Sequence, residues 1–191
     1  MTSKNVQYYI KLYENVFDNE FCKETLDQLK DADWEKHTWY KPETESREVI
    51  KNDGTYVSFE RIPNSFKIEK QLNELFYDYI FNHLASCTEW FRIISAFSNT
   101  RYNRYKRNAT MRMHCDHIHD LFSGTARGVP ILSVVGSLNN DYKGGKFIMW
   151  GDTEIPITAG SLLIFPSNLL FPHTVTKVTQ GTRYSWVNWA W

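Results

Sequence analysis

Hydrophobic residues in the first half of the chain recur at three- and four-residue steps, which is the spacing of an amphipathic helix. One such stretch runs from Asp18 to about Asp31, where Asp18 or Asn19 can cap the first turn. A second stretch runs from about Lys67 to Ala85. Its repeating positions would form one buried face, made of Ile68, Leu72, Leu75, Phe76, Tyr79, Ile80, His83 and Leu84. The pattern therefore predicts two helices before residue 90.

The segment between these two helices is polar. Residues 41–55 are rich in charge and contain Asn52, Asp53 and Gly54, a combination that accepts the positive φ of a tight turn. One interpretation is a hairpin loop exposed to solvent. The other is a mobile lid over an active site, because long polar loops often have that role.

After Trp90 the pattern changes to short runs rich in Val, Ile, Phe, Trp and Thr, separated by Gly, Pro, Asn and Asp. These runs are FRIISAF, VPILSVVGSL, KFIMW, TEIPI, SLLIF, HTVTKV and RYSWVNWAW. Helices followed by strands predict an α+β fold, with helices buttressing a sheet sandwich or barrel. We expect residues 1–191 to form a single domain, with about 1–90 as a helical support region that includes the polar loop and about 91–191 as the β core.

Charge and composition limit the partners and the location that we expect for the protein. Lys plus Arg equals Asp plus Glu at 22 each, so no net field draws the chain to nucleic acid or to a lipid surface. The three cysteines are too few for a disulfide framework, and no run has the length of a signal-peptide core or a membrane span. We therefore expect a cytoplasmic protein without nucleic-acid or membrane partners. A local basic cluster, at Arg101, Arg104, Lys106, Arg107 and Arg112, is interpreted as a solvated edge or a peptide-binding rim.

The densest group of possible metal ligands lies at residues 114–120, HCDHIHD. On a strand, residues i and i+2 share a face, so His114 and Asp116 can converge on one ion while Cys115 points away. Two histidines and one carboxylate leave three positions of an octahedral ion open, as Fe(II) oxygenases require. His117 and His119 have the same spacing, and we interpret them as loop or supporting histidines beside the ligands.

A third ligand must come from a distant strand. Among the histidines outside the cluster, His173 alone lies in the β-rich half, 57 residues after Asp116 (173 − 116). Arg183 follows it ten residues later (183 − 173). The guanidinium fork of arginine can pair with both oxygens of a carboxylate, a geometry that lysine does not reproduce.

Together, the His114-x-Asp116 motif, His173 and Arg183 resemble the HxD…H…R/K pattern of the Fe(II)/2-oxoglutarate dioxygenase superfamily. Further blocks resemble those of prolyl 4-hydroxylases, including small microbial and viral members. These blocks are Arg104-Tyr105 and residues 137–140, 142–147 and 159–167, so the resemblance covers approximately residues 101–189. Many prolyl 4-hydroxylases have lysine at the position of Arg183.

The resemblance implies a double-stranded β-helix of the jelly-roll or cupin type. It also implies Fe(II), 2-oxoglutarate and O₂, with ascorbate as reductant. The implied site residues are the iron ligands His114, Asp116 and His173, the 2-oxoglutarate-binding residues Arg183, Tyr105 and Thr182, and the substrate-binding residue Arg127. The expected reaction is hydroxylation of a prolyl residue in a peptide or protein, with release of succinate and CO₂.

Two alternatives stay open. The same chemistry could act on a nucleobase, a free amino acid or another small molecule. A cupin-like module that binds metal without turnover is the other alternative. Arg183 argues against such a module, because a protein that only binds metal has no need for a carboxylate-binding arginine.

Overall fold

The computed structural model describes residues 5–44, 46–50, 53–85, 94, 96–116 and 130–191. It has two α-helices, α1 (Asn19–Gln28) and α2 (Pro63–Tyr77), within these ranges. The strands there are β1 (Lys11–Tyr13), β2 (Glu35–Lys36), β3 (Trp39–Lys41), β4 (Ser46–Glu48), β5 (Thr55–Ser58), β6 (Arg101–Tyr105), β7 (Met111–His114), β8 (Leu132–Ser137), β9 (Lys143–Gly144), β10 (Phe147–Met149), β11 (Thr153–Ile155), β12 (Leu162–Pro166), β13 (His173–Val175), β14 (Val178–Gln180) and β15 (Arg183–Ala190). Two short 3₁₀ helices cover Val6–Tyr9 and Pro42–Thr44.

Both predicted helices are present. The side chain of Asp18 caps α1 by accepting a hydrogen bond from the backbone N–H of Phe21 at 2.7 Å. Helix α2 starts four residues earlier than expected, because Pro63 suits a first turn, where its missing N–H has no partner to lose. It continues as a π-helical segment, Asp78–His83. Among the described residues, no helix combines the length and apolar character needed to cross a membrane.

The strands form two main antiparallel sheets. The larger sheet has seven strands in the order β1-β12-β8-β15-β6-β5-β2, and the smaller has four in the order β11-β10-β13-β7. Two further pairs, β14-β9 and β3-β4, lie beside them. Six of the seven predicted β runs contain strands, and most of the seventh, residues 91–93 and 95, lies outside the described residues.

Two hydrophobic cores hold these layers together. One lies between the helices and the large sheet, where Leu72 and Phe76 of α2 belong to the same buried cluster as Trp186 of β15. The second lies between the two sheets and includes Phe147 and Phe165. The predicted α+β architecture, a β sandwich of the double-stranded β-helix type buttressed by helices, agrees with this arrangement.

The N-terminal part of the chain does more than the helical support that we expected. Strands β1, β5 and β2 lie at the two ends of the large sheet, so this region also builds the β core. The polar segment 41–55 contains the end of β3, all of β4 and the turn glycine Gly54, whose φ is +63°. Strands β3 and β4 pair as a hairpin, while Asp53 and Thr55 at the end of the segment are buried, so the segment is not exposed to solvent throughout.

Candidate metal and cosubstrate site

The small sheet brings two histidines side by side. His114 is the last residue of β7 and His173 is the first of β13, and the two are direct partners in the antiparallel ladder. Their ring centroids lie 4.4 Å apart. Asp116 lies two residues beyond the end of β7, and its Oδ1 atom is 3.5 Å from Nε2 of His114 and 3.6 Å from Nε2 of His173. One donor atom from each of the three residues therefore falls within 4.8 Å of the other two.

Backbone carbonyls orient both imidazole rings. Nδ1 of His114 is 2.8 Å from the carbonyl oxygen of Arg112, and Nδ1 of His173 is 3.1 Å from that of Phe171. A carbonyl can only accept, so Nδ1 carries the proton and donates in each case. Nε2 of both rings is thereby left as a lone-pair donor that faces Asp116. This is the arrangement in which metal-binding histidines are commonly held.

The electrostatics of the cluster favour the ligating protonation states. Burial acts to raise the pKa of Asp116, but His173 and His114 outweigh it and hold that pKa well below its usual range. Burial is also the main reason that the pKa of His173 is lowered to about 4. At neutral pH the cluster therefore offers a carboxylate and a neutral imidazole. The donor set fits a divalent ion such as Fe(II), which takes two histidines and one carboxylate on one face.

These ligands open into a cavity between the two sheets. The small sheet and the segment after β7 contribute Met111, His114, Asp116, Phe147, His173 and Val175. The large sheet contributes Arg101, Asn103, Tyr105, Val135, Arg183, Ser185, Val187 and Trp189. Both sheets of the sandwich therefore form walls of the cavity.

Arg183 is a buried cation at one end of this cavity. The residue is 2% exposed, its Nη1 donates to Oγ of Ser185 at 2.9 Å, and its Nε has no hydrogen-bond partner. No acidic side chain within the described ranges pairs with it. A buried guanidinium without a carboxylate is costly, so this geometry suits an anionic ligand.

Tyr105 shares that end of the cavity. It is the direct ladder partner of Arg183, whose guanidinium carbon lies 5.0 Å from the centroid of the phenol ring. Burial raises the pKa of Tyr105, even though the charge of Arg183 acts to lower it. The phenol therefore keeps its proton at neutral pH and can donate a hydrogen bond to an anion held by Arg183.

Residues 100–191 match the family model of the 2OG-Fe(II) oxygenase superfamily. Residues 100–191 are a 2OG-Fe(II) oxygenase domain. The resemblance inferred from the HxD motif, His173 and Arg183 is therefore confirmed at the level of the superfamily.

Known relatives of the oxygenase domain include a PKHD-type hydroxylase of Shewanella oneidensis, which is 35% identical over 92 residues. That match covers 46% of this chain and 40% of the relative, so it spans less than half the length of either protein. Two solved structures share the fold over nearly the whole chain. A Pseudomonas putida prolyl-4-hydroxylase has a TM-score of 0.63 at 16% identity, covering 95% of this chain and 91% of its own.

The second structure is a Trichoplax adhaerens prolyl hydroxylase in complex with a fragment of the hypoxia inducible factor oxygen degradation domain. Its TM-score is 0.66 at 14% identity, with 96% of this chain and 84% of its own covered. At such identities the likeness concerns the fold. It confirms the double-stranded β-helix architecture of the chain.

The oxygenase domain places most of the predicted site residues in one cavity. His114, Asp116, His173, Arg183 and Tyr105 all line it. Thr182, which we predicted to bind 2-oxoglutarate with Arg183 and Tyr105, is not among the lining residues, and its carbonyl accepts a hydrogen bond from Asn139 at 2.7 Å. Arg127, His117 and His119 lie outside the described residues.

One part of our reasoning about Asp116 was wrong. We expected strand alternation to place His114 and Asp116 on one face, but β7 ends at His114. Asp116 reaches the ion-binding position from the segment beyond the strand, where it is only 6% exposed. Cys115 between them has a free thiol whose pKa burial raises, which disfavours the reactive thiolate.

Sequence reasoning missed a network behind His114. The indole of Trp39 lies at 85° to the His114 ring with centroids 5.1 Å apart, and its Nε1 donates to Oδ2 of Asp53 at 2.7 Å. Asp53 is also 3.1 Å from Nδ1 of His37 and accepts from the backbone N–H of Thr55 at 3.2 Å. Nothing in the spacing of these residues indicates that they meet the metal ligands.

Proposed function

We propose that this chain is an Fe(II)- and 2-oxoglutarate-dependent dioxygenase that hydroxylates a C–H bond of a prolyl residue in a peptide or protein, releasing succinate and CO₂. One observation carries the proposal. A cluster of two histidines and one carboxylate opens into the same cavity as a buried arginine that lacks an acidic partner among the described residues. The first group suits Fe(II) and the second suits the far carboxylate of 2-oxoglutarate.

In this proposal His114, Asp116 and His173 hold the iron. The carbonyls of Arg112 and Phe171 fix the tautomers of the two histidines, so that Nε2 of each faces the ion. Two histidines and one carboxylate would leave further coordination positions of the iron for the cosubstrates. Bound iron supplies the oxygen chemistry that no side chain can perform.

Arg183 and Tyr105 would hold the 5-carboxylate of 2-oxoglutarate. Arg183 offers Nε and its remaining guanidinium protons, since the bond from Nη1 to Ser185 is the one hydrogen bond that its guanidinium makes with the described residues. Tyr105 offers its hydroxyl proton from the neighbouring strand. Thr182 is a weaker candidate for this role, because Ser185 and not Thr182 lines the cavity beside Arg183.

Apolar side chains keep the reaction site dry. Val135, Phe147 and Val175 line the cavity from both sheets, and Phe147 stacks on His173 with centroids 5.2 Å apart. A dry cavity strengthens the pairing of Arg183 with its anion and limits side reactions of the bound cosubstrates. The protein thus contributes positioning and exclusion of water.

The prolyl substrate is supported by the relatives. The relative from Shewanella oneidensis is a PKHD-type hydroxylase, and one structural neighbour is a prolyl hydroxylase solved with a peptide fragment bound. Free amino acids, nucleobases and other small molecules are the alternative substrates. Ascorbate as reductant and a cytoplasmic location belong to the same proposal.

The proposal is tested by succinate formation from 2-oxoglutarate in the presence of Fe(II), O₂ and ascorbate, with and without a library of proline-containing peptides. The wild type is compared with His114→Ala, Arg183→Ala and the control Arg104→Ala. Arg104 is a suitable control because it lies on the same strand as Tyr105 but packs over the rings of Trp34 and Tyr56, away from the cavity.

We expect succinate formation that peptides stimulate, together with a peptide product heavier by one oxygen atom. Both signals should vanish in His114→Ala and Arg183→Ala and persist in Arg104→Ala. Succinate formation that requires His114 and that no peptide stimulates would retain the oxygenase and reject the prolyl substrate. No turnover by the wild type, with Fe(II) still bound, would favour the cupin-like binding module.

A further inference from the structure

A second arginine faces the same cavity. Arg101 and Tyr105 lie at the two ends of β6, four residues apart, so strand alternation puts both on the face that lines the cavity. In the ladder with β15, Arg101 is opposite Val187 while Tyr105 is opposite Arg183. Four residues of strand correspond to roughly 13 Å, so the two guanidinium groups start from well-separated positions.

Arg101 does not belong to the pair formed by Arg183 and Tyr105. Its guanidinium carbon lies 4.8 Å from the ring centroid of Trp189, which is two residues beyond Val187 on β15. The side chain is therefore directed along the cavity away from Arg183. It shares the cavity with the metal cluster, because Arg101, His114, Asp116 and His173 all line it and the charge of Asp116 acts on the guanidinium.

The guanidinium of Arg101 has no anion within the described parts of the chain. Its Nε is buried without a hydrogen-bond partner, and no carboxylate there forms an ion pair with it. The two acidic groups whose charge reaches it are already engaged. Asp116 faces the two histidines, and Asp53 accepts hydrogen bonds from Trp39 and Thr55.

Counted over the described residues, the charges of the loaded site would leave one cation uncompensated. A divalent ion and doubly charged 2-oxoglutarate cancel each other, and Asp116 cancels one of the two arginines. One positive charge then remains at the end of the cavity that Arg101 and Trp189 form. A cation in such a confined, partly apolar place is costly unless a ligand supplies the matching anion.

We propose that Arg101 is a specificity-determining residue that selects a substrate with a negatively charged group close to the carbon that reacts. The chemical class is a carboxylate, either the α-carboxylate of a C-terminal target residue or an acidic side chain beside the target residue. This inference rests on the proposed function and deepens it, since it assigns recognition of the primary substrate to the other end of the large-sheet wall that holds the cosubstrate's carboxylate site.

The test is a binding measurement that needs no turnover. The protein is loaded with Mn(II) and saturated with 2-oxoglutarate, and the paramagnetic relaxation of probe protons reports binding near the ion. The probes are three acids, N-acetyl-L-proline, N-acetyl-L-alanine and N-acetylglycine, each compared with its own amide. Wild type, Arg101→Met and Arg104→Met are compared, and calorimetry gives the affinity for 2-oxoglutarate separately.

Methionine is chosen because it replaces the unbranched apolar stem of the arginine while removing the guanidinium charge that lies over Trp189. Arg104→Met removes the same charge from the opposite face of the same strand. We expect the wild type to bind at least one acid about tenfold more tightly than its amide, the factor typical of a hydrogen bond to a charged group. Arg101→Met should lose this preference and Arg104→Met should keep it.

Three results would overturn the inference. The wild type could bind no acid better than its amide, or Arg101→Met could retain the preference. Arg101→Met could also weaken the binding of 2-oxoglutarate itself, which would assign the guanidinium to the cosubstrate's 1-carboxylate. Failure of the proposed function is a separate outcome, because it would show as a wild type that binds Mn(II) but not 2-oxoglutarate.

Discussion

Replacing Trp39 with phenylalanine tests whether the network behind His114 supports the candidate metal site. The substitution removes the hydrogen bond from the indole Nε1 to Asp53, made over 2.7 Å between buried groups. A hydrogen bond to a charged acceptor contributes roughly 1.5–3 kcal/mol. Asp53 keeps its bonds with His37 and Thr55, so it is not stranded, but the smaller ring leaves a cavity that adds about 1 kcal/mol.

We therefore expect the free energy of unfolding, measured by urea titration of the metal-free protein, to fall by about 2–4 kcal/mol. The Mn(II) affinity should fall about tenfold, because the ring that packs on His114 is altered. Trp150→Phe is the matched control, since the Trp150 indole donates to the neutral carbonyl of Leu170 in an exposed position. The reasoning would be refuted if Trp39→Phe and Trp150→Phe lowered the free energy of unfolding by the same amount, to within about 0.5 kcal/mol of each other.

Four further predictions concern the pH dependence, the fold and the ligands. Burial acts to raise the pKa of Asp53, but its hydrogen bonds lower that pKa overall. The stability that Asp53 contributes is therefore present above the ordinary pKa of an aspartate and is lost as the pH falls through the folded-state pKa. In urea titrations from pH 7 to about 2, the free energy of unfolding should fall less steeply with pH in Asp53→Asn than in the wild type. Gly136→Ala would place a Cβ atom 2.1 Å from the indole of Trp186, so it should lower the free energy of unfolding, measured by urea titration, by roughly 3 kcal/mol or more. Adding Trp186→Leu to this variant should recover part of the lost stability. Saturating Mn(II) should raise the melting temperature of the wild type and not of His114→Ala, because only a folded site binds the ion. Arg183→Lys should weaken 2-oxoglutarate binding about tenfold or more in calorimetry, and unchanged affinity would remove Arg183 from the cosubstrate site.

Of the strands in the large sheet, the sequence predicted β8, β12 and β15 but not β1, β2, β5 or β6, and β6 is the most informative case. Its sequence, RYNRY, shows no alternation of apolar and polar residues. The reason is that both faces are covered: Tyr102 packs under the helices, whereas Arg101, Asn103 and Tyr105 face the cavity. A strand whose inward face is polar because it builds a ligand site cannot be recognised from hydrophobic periodicity.

The candidate site was predictable as far as it depends on local spacing and on residue chemistry. The metal cluster could be predicted because Fe(II) takes two histidines and one carboxylate, and the sequence offers His114 and Asp116 close together and His173 in a later β run. The contact between Trp39 and His114 could not be predicted, since Trp39 lies 75 residues before His114 (114 − 39) and meets it only through tertiary packing. Long-range packing partners of this kind leave no mark in a single sequence.

The two groups of candidate site residues lie on different sheets of the sandwich. The histidine ligands belong to the small sheet, whereas Arg183 and Tyr105 belong to the large one. A cosubstrate that contacts both must bridge the sandwich, so its binding energy also stabilises the packing between the sheets. Substitutions in the shared core, such as those at Phe147 against His173, should therefore weaken ligand binding even though they remove no ligand-binding group.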